Sequence, residues 1–174
     1  MALTLLSLVG VIVLAIQKCF QAPAWMQGAN WVFVPLLVIY GTLFLLPYQA
    51  WILALVLGVL TDFLSEARLG SNAVCLLILS GLLQTQYLER WRKKIYAQVF
   101  LALVGTMFFL IVDYLSFSLQ RGHFFYSDGI LFKMTVASLL NAFMAPFVFG
   151  GLNWGLKRLG AKLPLDSIYE EEGV

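Results

Sequence analysis

Six apolar runs, joined by connections too short to fold by themselves, constrain this chain more than any other feature. They are Ala2 to Ile16, Trp31 to Leu46, Tyr48 to Leu64, Leu69 to Leu88, Ile95 to Leu119 and Ile130 to Leu159. A spanning helix needs roughly 20 mostly apolar residues, and a helix satisfies all its backbone polar groups within one segment, which lipid demands. Of the 174 residues, 61% are hydrophobic and only 11% charged, so a soluble domain would leave apolar surface in water. The expected fold is therefore an all-α integral membrane protein with about six transmembrane helices in one bundle. Residues 1–163 make up this membrane domain, and 164–174, containing "DSIYEEEGV", form a short acidic tail expected in the cytoplasm.

The ends of the runs add detail. The first two are short, and interfacial Trp25, Trp31 and Tyr40 would extend them at headgroup level. The last is long, with a break expected at Gly150, Gly151 and Gly155. The run Ala2 to Ile16 followed by "APA" at Ala22 to Ala24 imitates a signal peptide. No basic segment precedes it, so it is expected to stay as the first span.

Orientation follows from basic residues in the connections. One side carries the cluster Arg90, Arg92, Lys93 and Lys94 together with Lys157, Arg158 and Lys162; the other has Lys18, Arg68 and Arg121. With six spans, both termini are expected in the cytoplasm. The "ERWRKK" cluster reads as a topology signal, and also as a docking site for a cytoplasmic partner or anionic lipid headgroups. The net charge of +2 forms no basic stripe for a nucleic acid.

Three formal charges remain inside the runs: Asp62, Asp113 and Lys133. In this topology all three fall in the outer leaflet, where a charge is expected to face the bundle interior and find a partner. Ala50, Ala54 and Gly58 recur every four residues and lead to Asp62, a small-residue stripe that lets helix backbones approach. Lys133, Ala137, Asn141 and Ala145 keep the same spacing. Ala102, Gly105, Thr106, Phe109, Asp113 and Ser116 line a comparable face of the fifth run. Spans three, five and six are thus expected to converge, with Lys133 paired to one of the two aspartates. The polar groups Asp62, Asp113, Lys133 and Asn141 would fix packing, line a ligand or partner site, or, least in keeping with their depth, form an ion pathway.

Catalytic chemistry finds few candidates. His123 is the only histidine, in an outer connection beside Phe124, Phe125 and Tyr126, so neither a histidine metal site nor a Ser-His pair can be built. An aspartyl dyad of Asp62 and Asp113 would have Lys133 competing for its carboxylates. Cys19 and Cys75 have no metal-binding or disulfide spacing. The expectation is a protein that is not an enzyme and carries no metal or cofactor.

The stretch "GVLTDFLSEARLG", Gly58 to Gly70, and the helix after it resemble the MreD family of bacterial rod-shape-determining membrane proteins. The shared pattern is Gly58, Leu60, Asp62, Phe63, Leu64 and Ser65, then Leu69, Gly70, Asn72, Ala73 and the apolar run to Leu83. Chain length, the short first span, Pro35 opening the second and the basic connection after the fourth are also similar to the family. Thr61 and the pair Glu66 and Arg68 depart from it. The resemblance implies a non-enzymatic subunit of the cell-elongation machinery in the bacterial inner membrane, helping to organise lateral peptidoglycan synthesis. Its implied partners are MreC and, through it, MreB, RodA and a class B penicillin-binding transpeptidase. It also implies a fold similar to the S components of energy-coupling-factor vitamin transporters, and a vitamin-binding S component is the alternative function. That alternative calls for a polar-lined cavity of about 300 Å³ or more.

Overall fold

The computed structural model describes residues 2–19, 32–64, 70–84, 94–122 and 128–160. Nearly all of these residues are helical, with no strand among them. The helices are α1 (Ala2–Cys19), α2 (Val34–Phe44), α3 (Pro47–Leu64), α4 (Ser71–Leu83), α5 (Ile95–Arg121) and α6 (Asp128–Arg158). Each coincides with one of the apolar runs. Three stretches are long and apolar enough to cross a membrane: Pro47–Leu64, Ile95–Leu119 and Gly129–Arg158; the apolar stretches of α1, α2 and α4 are shorter.

The shortest helix sits at the centre. Pro35, which lacks an amide hydrogen to lose, occupies the first turn of α2, and all eleven residues of that helix are buried. At 1.5 Å per residue it is only about 16 Å long, yet it packs against each of the other five helices. A helix apolar on every side belongs inside protein. Around it stand two antiparallel hairpins, α3 with α4 and α5 with α6, and α1 leans on α3 and α2. The outward residues are large and apolar, among them Phe63, Leu82, Leu119, Phe143 and Trp154, as a lipid-facing surface requires.

Two expectations are corrected here. Spans three, five and six do not converge: α3 packs chiefly on α4, and α5 on α6. Helices that follow one another through a short connection pair most directly, and similar small-residue faces on α3, α5 and α6 do not bring the three together. The last helix is not broken. It runs unbroken through Pro146 and through Gly150, Gly151 and Gly155, whose Cβ positions would meet no atom within 4 Å.

Tyr40 is a third difference. Expected at headgroup level, it is fully buried, with its ring 4.6 Å from that of Phe44 and 5.5 Å from that of Phe149. A buried tyrosine hydroxyl needs a partner, and Tyr40 Oη donates to Asn153 Oδ1 at 2.5 Å. Asn141, inward as expected, donates through Nδ2 to the Val32 carbonyl and to Thr106 Oγ1, the latter at 3.2 Å. The two asparagines of α6 thus hold α2 near both of its ends.

Candidate functional site

The conspicuous polar constellation lies where α3 ends and α4 begins. The stripe Ala50, Ala54 and Gly58 is buried, as its spacing predicted. At Gly58 the two helix backbones nearly touch: a Cβ built there would lie 2.3 Å from Ala73 Cα and 2.8 Å from Ala73 N. Only glycine permits that approach. One turn further, Asp62 is 2% exposed and points at the N-terminus of α4. Asp62 Oδ2 accepts from the amides of Gly70 at 2.8 Å and Ala73 at 3.3 Å, and Oδ1 from that of Asn72 at 3.0 Å.

The first amides of a helix have no partner within it, and together they present partial positive charge that favours an anion. Asp62 therefore caps α4 from a different helix, eight residues before Gly70. Gly70 opens α4 with φ of 97°, a left-handed conformation that costs side-chain-bearing residues strain. Thr61 returns its hydroxyl to the Leu57 carbonyl at 2.7 Å, so the helix absorbs it. At the other end of the hairpin, Gln84 Nε2 donates to the Pro47 carbonyl at 3.2 Å. The α3–α4 pair is thereby tied at both ends.

The other intramembrane charges are placed by the α5–α6 seam. Thr106 meets Asn141, and Ser138 Oγ donates to Met107 Sδ at 3.6 Å. Asp113 is seven residues beyond Thr106 and Lys133 eight before Asn141, so in antiparallel helices the two lie at nearly the same depth. They do not pair. Eight residues turn Lys133 about 80° around α6 from Asn141, away from the seam, and it makes no ion pair or hydrogen bond with either aspartate. Asp113, half-buried, lies within electrostatic reach of Asp62 and of Cys75 on α4. The expected Lys133 counter-ion is thus replaced, for Asp62, by the amides of α4.

Near that end two buried atoms lack a hydrogen-bond partner among the described residues, Asn72 Oδ1 and Ser118 Oγ. A second feature is wholly apolar: a groove of about 170 Å³ between α1, α2 and α6, lined by Val13, Ile16, Phe33, Leu37 and Val148. It offers no polar group to orient a vitamin. Among the described residues no three His, Cys, Asp or Glu side chains gather as metal ligands would. Cys75 is a buried free thiol.

Of the residues singled out in the sequence, the structure unites Gly58, Asp62 and Gly70 in one corner and leaves Asp113 and Lys133 apart from it. Ser65 and Leu69 of the turn, and Arg90, Arg92 and Lys93 of the basic cluster, lie outside the described residues, as do His123 and the acidic tail. Lys94 is exposed at the start of α5, its Nζ 5.5 Å from the Tyr96 ring centroid. Asn153 is a polar contact that the sequence analysis does not single out. The signal for Asn153 was available: one amide side chain in an apolar helix, and one tyrosine in an apolar run, each needing a partner. Compared with family models, with curated proteins and with solved structures, the chain matches none of them.

Proposed function

We propose that this chain is a non-enzymatic subunit of the bacterial cell-elongation machinery, of the MreD type, seated in the cytoplasmic membrane with both termini inside. It binds an MreC-like protein and, through it, connects to MreB, to RodA and to a class B penicillin-binding transpeptidase in lateral peptidoglycan synthesis. The reading rests on the resemblance over Gly58 to Leu83. One observation supports it: of the residues that carry the resemblance, Gly58, Asp62, Gly70, Asn72 and Ala73 meet as one unit, with Gly58 against Ala73 and Asp62 capping the helix that Gly70 opens. A motif whose members interlock is a packing determinant, as an assembly subunit needs. Asp62, the buried charge of this motif, acts in holding two helices together.

Pull-down of the tagged protein from solubilised membranes tests the proposal. MreC-like and RodA-like proteins are the expected partners. Recovery of ATPase subunits together with a bound vitamin would overturn it in favour of an S component. The Asp62→Ala variant, recovered at reduced yield and with fewer partners, would place the corner upstream of assembly.

A further inference from the structure

The inner end of α6 carries a group of residues that neither the packing nor the proposed assembly uses. Phe143, Phe147, Gly150, Gly151, Trp154 and Arg158 follow one another at steps of three and four residues or less, which sets them on one side of the helix. That side faces out. Phe143, Phe147 and Trp154 are 64%, 66% and 65% exposed. Gly150 and Gly151 are exposed too, leaving a gap between Phe147 and Trp154 with no atom within 4 Å of either Cβ position. At its end the Arg158 guanidinium lies 5.1 Å from the Trp154 ring centroid, within the range of a cation–π contact. Lys157 is exposed beside it.

Among the described residues Lys157 has no side-chain partner, and Arg158 has the Trp154 ring of its own helix. Basic residues at a helix C-terminus commonly serve its last carbonyls. Here the backbone closes that end unaided, Leu159 N donating to the Gly155 carbonyl and Gly160 N to that of Lys157, both at 3.1 Å. Among the described residues, neither Lys157 nor Arg158 forms an ion pair with a carboxylate. We propose that this face of α6 binds an anionic phospholipid, its phosphate held by Lys157 and Arg158 and one acyl chain lying in the gap at Gly150 and Gly151. Charge selects the occupant. Two cations without a carboxylate partner among the described residues, at the end of an apolar, aromatic-walled strip, match a negative headgroup over a hydrocarbon chain. The site needs only a membrane, so it stands whichever proteins the chain assembles with.

Native mass spectrometry of the purified protein, titrated with phosphatidylglycerol or phosphatidylcholine, reads the site. Phosphatidylglycerol should bind more tightly, and the double variant K157Q/R158Q should weaken it about tenfold while leaving phosphatidylcholine unchanged. Gly150→Leu should also weaken it, by filling the gap with both cations in place. Lys94→Gln, on the same side of the bundle but outside this face of α6, should have no effect; an equal loss there would reduce the effect to general attraction and overturn the proposal. Retention of wild-type affinity by K157Q/R158Q would do the same. Brominated phosphatidylglycerol should quench tryptophan fluorescence, with the quenched part missing in Trp154→Phe. If quenching is the same with and without Trp154, the face is covered by something other than lipid and the assignment fails.

Discussion

Asp62 and Asp113 are both carboxylates in apolar helices near the same end of the bundle, and the structure treats them in opposite ways. Asp62 is 2% exposed and receives three backbone amides. Asp113 is half-buried and makes no hydrogen bond among the described residues. Sequence alone ranks them alike, as charges costing a few kcal/mol in hydrocarbon. What separates them is a helix N-terminus. A row of free amides compensates a carboxylate as a lysine would, with the added property of fixing where the next helix starts.

The largest expected effect breaks that corner. Asp62→Ala should cost about 4 kcal/mol, because it strips a charge-assisted cap and leaves buried amides without an acceptor. Denaturant or thermal unfolding of the purified protein in micelles measures it; a loss under about 1 kcal/mol would show that the cap is dispensable. Asp62→Asn, which turns one acceptor into a donor facing donors, should lose about half as much. Next comes Gly58→Ala at about 3 kcal/mol, since a methyl group 2.3 Å from Ala73 Cα forces the helices apart. Gly70→Ala isolates the backbone contribution. No atom crowds its Cβ, so the cost is the left-handed φ alone, about 1 kcal/mol. A Gly70 variant as damaging as the Gly58 one would mean that conformation, more than close approach, governs the corner.

The corner also shows how far the sequence could be read. The helices, the inward stripe from Ala50 to Gly58 and the burial of Asn141 follow from apolar periodicity and the four-residue spacing of small groups. The partner of Asp62 does not, because its ligands are main-chain amides that every residue type carries. Comparable small-residue faces on three runs, each carrying a charge, suggest instead a convergence of α3 with α5 and α6 and a pairing with Lys133, neither of which the fold contains. Tyr40 failed for a related reason. Its amphipathic ring suits an interface, and only the three-dimensional neighbour Asn153 allows its hydroxyl to be buried. The shortness of α2 was visible in the sequence; its central position, which makes every face of it apolar, appears only when five helices pack around it.

Asp113 supplies the smallest expected effect and the sharpest use of the comparison. It makes no hydrogen bond to lose, and Asp113→Asn removes a formal charge from an apolar helix near a second carboxylate. Unfolding stability should therefore stay within about 1 kcal/mol of wild type, with any change towards greater stability. The same variant examined for partner recovery from membranes then separates two roles. Unchanged stability with unchanged recovery makes Asp113 a tolerated charge at the edge of the bundle. Unchanged stability with lost recovery makes it a contact to another subunit, since a charge unused within the fold is available across an interface. A stability loss above about 2 kcal/mol would erase the contrast with Asp62, because breaking a compensated buried charge costs that much and losing an uncompensated one does not.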